Sequence, residues 1–106
     1  MITNQQIDEM AEKIAKATNP YKIIVFGSYA YGQPNEDSDL DFCVIEKTVT
    51  SKIAEKRKIR ESLGKVNIAL DLLVPDLAEY DFYKNEINSV YNDIETKGRI
   101  VWPKTI

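Results

Sequence analysis

The sequence predicts a small α/β or α+β domain of two or three layers, in which we expect a small mixed β-sheet flanked by helices. Three observations predict this fold class: an apolar periodicity of helical type opens the chain, short β-branched and apolar runs recur along it, and turn residues separate these runs. The length of 106 residues fits one domain, and we expect residues 1–106 to fold as a single unit.

The first half of the chain predicts a helix, a strand, a turn and a second strand. Thr3 and Gln6 have the spacing of a capping box, and Asn19-Pro20 ends the helix that follows. Residues 21–26 and 40–45 are short apolar runs that predict strands, and one helical turn fits between them. The inward stripe of the helix consists of Ile7, Met10, Ala11 and Ile14.

The second half predicts a helix, a strand, a long helix and a short edge strand. These elements span residues 51–63, 66–74, 80–97 and 99–102. Gly64 ends the first of these helices, and Pro75 stops the strand. The predicted inward stripe of the long helix consists of Tyr83, Ile87, Val90, Tyr91 and Ile94.

The composition excludes several kinds of chemistry. The chain has no histidine, and Cys43 is its one cysteine. These counts exclude Ser-His-Asp and Cys-His catalysis, metal ligation by histidine, cysteine-rich zinc sites and an internal disulfide. An enzyme of this composition depends on carboxylates, hydroxyls, lysine or arginine, and a hard cation held by oxygen ligands. We expect Cys43 to be a small buried apolar residue, since no base is near to activate it.

Charge and hydropathy limit the partners. The formal net charge of −3 argues against general affinity for nucleic acid. No apolar run approaches the ~20 residues that span a membrane, and no signal sequence opens the chain. Together with the single thiol, these features favour a cytoplasmic protein that binds neither membrane nor nucleic acid directly.

The segment from Gly27 to Asp41 holds the candidate site. Gly27-Ser28 follows a strand, where glycine permits a sharp turn and the next amides and the Ser28 hydroxyl can donate to an anion. The alternative for this pair is a plain turn in which Ser28 caps a helix. Asp39 and Asp41 lie two positions apart at the start of the next strand, so both carboxylates share one face. The alternative interpretation of Asp39 and Asp41 is that they are two solvated charges at the margin of the sheet.

A third acid, Asp71, interrupts the apolar run 66–74. We expect this carboxylate to be buried, which is costly unless it is paired or bound to metal. If the third strand neighbours the second, Asp71 joins Asp39 and Asp41, and three like charges need a counter-ion. Because all the ligands are oxygens, Mg²⁺ or Mn²⁺ is favoured. Such a triad beside an anion-binding turn is typical of two-metal phosphoryl or nucleotidyl transfer.

Gly27-Ser28, ten intervening residues and then Asp39-Leu40-Asp41 resemble the signature of the DNA polymerase β-like nucleotidyltransferase superfamily. The short chain and Leu70-Asp71-Leu72 resemble its smallest branch, the minimal nucleotidyltransferases. The resemblance implies the nucleotidyltransferase fold and a nucleoside triphosphate held at Gly27 and Ser28. It also implies that two Mg²⁺ ions, or Mn²⁺, are held by the catalytic acids Asp39, Asp41 and Asp71. Many members carry an arginine shortly after the Gly-Ser pair, where this chain has Tyr29 and Tyr31.

The same resemblance implies an activity and a partner. The activity is Mg²⁺-dependent transfer of AMP from ATP to a hydroxyl. Minimal nucleotidyltransferases are typically encoded beside a helical HEPN protein, and the pair resembles a toxin–antitoxin module in which a tyrosine of the toxin is adenylylated. We therefore expect an antitoxin that acts on a HEPN-domain toxin in a hetero-oligomer. Two alternatives remain open: transfer to a small hydroxylated molecule, and an antitoxin that only binds its partner.

Overall fold

The computed structural model describes residues 1–104, which contain five helices and four strands. No helix among these residues is both long and apolar enough to cross a membrane. The helices are α1 (Asn4–Thr18), α2 (Ser28–Tyr31), α3 (Lys52–Leu63), α4 (Leu77–Tyr83) and α5 (Val90–Lys97). The strands are β1 (Lys22–Phe26), β2 (Leu40–Ile45), β3 (Leu70–Leu73) and β4 (Arg99–Trp102).

The four strands form one mixed sheet in the order β3-β2-β1-β4. β1 lies antiparallel to β2 and to β4, whereas β2 and β3 run parallel. The chain passes from β2 to β3 through α3, because parallel neighbours need a crossover connection. The prediction of a mixed sheet flanked by helices is therefore confirmed.

The sheet separates two apolar cores, which we call the α1 face and the α5 face after the helices that cover them. On the α1 face, α1 and α3 pack against Leu40, Phe42 and Val44 of β2. On the α5 face, the intervening β2 residues Cys43 and Ile45 pack with α4 and α5. This alternation follows from the period of two along a strand. Cys43 is fully buried, as predicted.

The N-terminal helix matches its sequence signals. The Thr3 hydroxyl accepts a hydrogen bond from the Gln6 amide at 3.1 Å, and the Thr3 amide donates to Gln6 Oε1 at 2.8 Å. These two bonds form the predicted capping box. Asn19 ends the helix in the left-handed region with φ of 50°. The predicted stripe of Ile7, Met10, Ala11 and Ile14 is buried against the sheet.

The prediction of one continuous helix over residues 80–97 is wrong. α4 ends at Tyr83 and α5 begins at Val90, with turns between them. The Ser89 hydroxyl accepts from the Tyr91 amide at 3.0 Å and caps α5, and such a local bond competes with helix continuation. Tyr91 and Ile94 are buried as predicted, but Tyr83, Ile87 and Val90 are exposed.

The third strand is shorter than the predicted span of 66–74. β3 covers only Leu70–Leu73, and its junction with β2 is marked by the Leu40 amide donating to the Ala69 carbonyl at 2.9 Å. Val66 and Ile68 pack against the core of the α1 face from a loop. Their burial explains an apolar pattern that looks like strand in the sequence. The edge strand predicted over residues 99–102 is confirmed as β4.

A buried carboxyl pair lies where β2 ends. Glu46 is only 7% exposed, and its backbone is held by the Pro75 carbonyl and the Leu77 amide. The Oε2 atoms of Glu46 and of Glu55 on α3 are both buried without a hydrogen-bond donor. Burial first, and then the Glu55 carboxyl, raise the pKa of Glu46 to about 7, while Lys58 opposes the shift. One proton shared between the two carboxyls satisfies both oxygens.

Candidate active site

The three predicted acids meet at one end of the sheet. Asp41 in β2 is the register partner of Asp71 in the parallel neighbour β3, and of Phe26 in β1. Asp39 precedes β2 by one residue, and its charge acts directly on Asp41. Because Asp41 alternates with Leu40, its carboxylate lies on the α5 face together with that of Asp71. The condition for a cluster, adjacency of the second and third strands, is met.

The expectation that Asp71 is buried is wrong. Asp71 and Asp39 are exposed, and Asp41 alone is half-buried. β3 is an edge strand, so its outer side has no further strand to cover it. Asp71 therefore interrupts an apolar run without losing its contact with water. The argument for a cation consequently rests on the crowding of three carboxylates, and not on the cost of burying one of them.

The crowding of the three acids contributes to a raised pKa of the Asp41 carboxyl. The pKa of its carboxyl is raised from 3.8 to about 6. Partial burial is the largest cause, and the charges of Asp71 and Asp39 follow in that order. The Asp71 side chain also lies within hydrogen-bonding reach of Asp41, which favours the protonated form. A carboxyl whose pKa is raised by burial and by neighbouring anions is stabilised in its charged form by a cation in the same place.

Gly27 fits closely against this cluster. Its φ of 73° lies in the left-handed region that glycine adopts without strain. A β-carbon at this position would also collide with the Asp41 carboxylate. Glycine is thus required twice, once for the turn that follows β1 and once for the close approach of the acid. The predicted turn and the predicted acids therefore form one site.

The turn after Gly27 presents hydrogen-bond donors beside the acids. The amides of Ala30 and Tyr31 both donate to the Gly27 carbonyl, at 3.0 and 3.1 Å. The amides of Ser28 and Tyr29 come first in this turn, where no preceding carbonyl is placed to accept from them. Together with the Ser28 hydroxyl they are the donors that an anion at this turn would use. The alternative of Ser28 as a helix cap is wrong, because Gly27 occupies the cap position.

The donor set suits a hard divalent cation. All three acids supply carboxylate oxygens, the ligands that Mg²⁺ and Mn²⁺ prefer. Among residues 1–104, no group of three or more acidic, cysteine or histidine side chains already converges as a ligand set. The three acids therefore suit Mg²⁺ by the chemistry of their oxygens, but their side chains do not form a ready-made ligand set.

A cavity of about 560 Å³ lies apart from the acids. Its walls come from α1, from Tyr29 and from the loop around Asn67. Several of its lining residues, including Ile2, Val66 and Ile68, pack with the core of the α1 face. The acids lie on the opposite face of the sheet, so this cavity does not open onto them.

A mixed sheet that brings three carboxylates beside a Gly-Ser turn is the arrangement expected of a nucleotidyltransferase. Residues 5–102 match the family model described as the nucleotidyltransferase domain, and the chain belongs to this family. It is 31% identical over 78 residues to a protein of Methanocaldococcus jannaschii named as a candidate protein adenylyltransferase. That match covers 73% of this chain and 74% of the relative.

A solved structure shares the fold. It is the crystal structure of a protein from Sulfolobus solfataricus described as a candidate nucleotidyltransferase. The TM-score is 0.53, the sequence identity is 23%, and the match covers 72% of this chain and 68% of the other. The nucleotidyltransferase fold implied by the Gly-Ser and Asp-Leu-Asp motifs is thus confirmed, and the class of enzyme is that of a nucleotidyltransferase.

Proposed function

We propose that this protein transfers AMP from ATP to a hydroxyl group in a Mg²⁺-dependent reaction. The observation that carries the proposal is the placement of Asp41 between Asp71 in the next strand and Gly27 in the turn that follows β1. This arrangement sets a concentrated negative charge, suited to a divalent cation, against backbone donors suited to phosphate. Both are needed where a phosphate group is transferred.

Each residue has a role in this proposal. Gly27 and Ser28 would hold the phosphates of the nucleotide, and Asp39 and Asp41 would hold two Mg²⁺ ions. Asp71 completes one of these sites. When bound, Mg²⁺ lowers the pKa of the acceptor hydroxyl and neutralises the charge that develops on pyrophosphate.

The transfer is an in-line displacement. The acceptor oxygen forms a bond to the α-phosphorus, and the bond from the α-phosphorus to the bridging oxygen of the β-phosphate breaks. Pyrophosphate leaves, and the proton of the acceptor hydroxyl passes to the carboxylate of Asp71. This exposed acid at the edge of the sheet is accessible to an acceptor carried by another molecule.

The acceptor in this proposal is a protein tyrosine. The relative from Methanocaldococcus jannaschii carries the name of a candidate protein adenylyltransferase, which supports a protein acceptor. We further propose that the acceptor belongs to a HEPN-domain toxin and that its modification makes this protein an antitoxin. The open position of the acids supports an acceptor that is delivered by a second chain rather than enclosed by this one.

The experiment combines the purified chain, a HEPN protein encoded beside it, MgCl₂ and ATP labelled on its α-phosphate. We expect label on the HEPN protein, and a gain in mass of one AMP on a tyrosine. Asp39→Asn should lose this transfer. Asp37→Asn removes the same charge from the neighbouring loop and should retain it, since Asp37 is exposed and is not among the charges that raise the pKa of Asp41.

The alternatives give different results in this experiment. Neutralisation of the toxin without label, unchanged in Asp39→Asn, identifies an antitoxin that acts by binding alone. Label on a small hydroxylated compound, and none on protein, identifies a small-molecule nucleotidyltransferase. Failure of the wild-type chain to bind ATP with Mg²⁺ or Mn²⁺, measured by calorimetry with and without the HEPN protein, would overturn nucleotidyl transfer itself.

A further inference from the structure

The phosphates of ATP need a positive charge that the local sequence does not supply. A nucleoside triphosphate adds about four negative charges beside three carboxylates, and like charges this close repel strongly. The segment 27–41 contains no lysine or arginine, although it carries Glu36, Asp37, Asp39 and Asp41. A protein side chain that adds positive charge to that of Mg²⁺ at the phosphates must therefore come from an element distant in sequence.

The end of α5 lies beside the Gly-Ser turn. α5 packs on the α5 face, where Tyr91 and Ile94 join Ile24 and Phe26 in one core. At its C-terminus, a β-carbon on Gly98 would lie 2.5 Å from Ile24 Cγ2, so the backbone is pressed against β1. β1 runs directly into Gly27. The last residues of α5 therefore lie on the same face as Asp41 and next to the candidate phosphate site.

Lys97, the last residue of α5, points toward the turn. Its Nζ atom lies 5.9 Å from the centre of the Tyr31 ring, and Tyr31 is the last residue of the helical turn that follows Gly27. The ammonium group is held loosely, because Asp93 is 3.9 Å away and the two side chains are 59% and 54% exposed. A lysine with weak local partners can turn toward a phosphate without losing a strong interaction.

Two other cations near the sheet, Arg99 and Arg60, are directed elsewhere. Arg99 lies against Asp8 and Asn4 of α1, on the opposite face. The guanidinium of Arg60 donates to the Leu70 carbonyl at 3.2 Å, at the outer edge beside β3. In the sheet order β3-β2-β1-β4, Asp71 in β3 and Gly27 after β1 lie on opposite sides of β2. Lys97 is on the β1 flank, which carries Gly27.

We propose that Lys97 binds the β- and γ-phosphates of the nucleoside triphosphate. The proposal rests on the proposed function and adds to it a residue that determines the phosphate chain length of the bound nucleotide. A nucleotide with three phosphates reaches the ammonium group, whereas AMP ends before it. Charge at this position also favours departure of pyrophosphate, since the negative charge on that group grows as the bond to the α-phosphorus breaks.

The test compares the binding of ATP and AMP in the presence of MgCl₂, by calorimetry, in the wild type and three variants. Lys97→Gln should bind ATP about tenfold more weakly, because a charge-assisted hydrogen bond is lost, while AMP affinity changes little. Lys97→Arg should restore ATP affinity. Lys16→Gln removes one charge from the last turn of α1, on the other face, and should bind ATP as the wild type does.

Thermal unfolding without nucleotide should be the same in all four proteins, since Lys97 is largely exposed. Equal ATP affinity in Lys97→Gln and the wild type would overturn the role of Lys97 and leave nucleotidyl transfer intact. An equal loss for ATP and AMP would also overturn it, because the effect would then not depend on the outer phosphates. If the wild type binds no ATP, the proposed function fails together with this inference.

Discussion

Carboxylates gather at both ends of β2, and the two ends hold them in different ways. At the start, Asp41 is half-buried between the exposed acids Asp39 and Asp71. At the end, Glu46 is closed off against Glu55 of α3. The pKa is raised at both places, to about 6 for Asp41 and about 7 for Glu46, and burial is the largest cause in each. One strand thus carries an open acid cluster and a closed acid pair.

The difference lies in what can neutralise each group. The open cluster is accessible to solution, so a metal ion can reach it and oppose its charge. The closed pair has room for a shared proton, and Lys58 reaches only the more accessible Glu55, at 3.1 Å. Under the proposed function, the raised carboxyl pKa belongs to a metal site at one end of the strand, whereas at the other end it is a structural consequence of packing.

The largest expected effect is on activity, which should depend on the acids at the start of β2. Asp41→Asn should reduce AMP transfer by at least about a thousandfold, because two-metal stabilisation supplies several kcal/mol of the barrier. The same change should leave the metal-free free energy of unfolding unchanged or raise it, since it removes repulsion and keeps the shape. Transfer assays and urea unfolding in EDTA measure both quantities. Full activity, or a large loss of stability without loss of activity, would show that Asp41 is structural.

The next effect is on the pH dependence of stability, which should depend on Glu46 at the end of β2. The folded-state pKa of Glu46 is about 7 and the ordinary value of a glutamate is 4.5, so the folded chain binds more protons than the unfolded chain between these values. The free energy of unfolding should therefore fall as pH rises from about 4.5 to about 7. Glu46 should contribute about 2 kcal/mol to this decline, less than its full shift because solvent near Glu55 screens the pair.

Glu46→Gln tests that contribution. The variant should be more stable than the wild type at about pH 8 and should show a flatter dependence on pH, as urea unfolding at several pH values can measure. Glu36→Gln removes a charge from an exposed loop and serves as the control. A decline of the same size in Glu46→Gln would assign the pH dependence to other groups, of which Asp41 has the same sign.

A third effect concerns the metal. At a Mg²⁺ concentration tenfold above its dissociation constant, binding to the folded chain should raise the free energy of unfolding by about 1.4 kcal/mol. Thermal unfolding over a series of MgCl₂ concentrations measures the rise. It should be absent in Asp41→Asn and unchanged in Glu46→Gln. An equal response in the two variants would place the metal outside the open cluster.

The smallest effect concerns the one cation beside the closed pair. Lys58 lowers the pKa of Glu46, so Lys58→Gln should raise it further. At about pH 8, where both carboxyls of the wild type are charged, the variant should lose about 0.5 kcal/mol of unfolding free energy. At about pH 5 the loss should be smaller. A loss that does not change with pH would mean that Lys58 acts through packing instead.

Local signals account for what the sequence predicts correctly about the fold. The capping box of Thr3 and Gln6, the alternation along β2 and the glycine after α3 each depend on neighbouring residues. The errors arise where packing competes with local pattern. Ile87 fits a helical stripe, yet it is exposed because Ser89 starts a new helix. Polar residues before Ser89 are the signal that could have indicated this break.

The candidate site shows the same limit. Most of its residues lie in one segment, from Gly27 to Asp41, so their grouping is readable along the chain. The neighbourhood of Asp71 depends on strand order, and its exposure depends on β3 being an edge. No sequence pattern singles out Lys97, because its relation to the turn depends on how α5 packs against β1. The catalytic roles stay predictions.

The contact between Gly27 and Asp41 restricts which substitutions this sequence can accept during evolution. Every single-base change that replaces this glycine introduces a β-carbon, which meets both the left-handed backbone and the Asp41 carboxylate. Shortening Asp41 would relieve the collision but would remove an acid and leave the backbone strained. Substitutions at positions 27 and 41 should therefore be selected against, and neutral substitutions should accumulate at other positions. A library fully randomised at position 27 and selected for activity should return glycine.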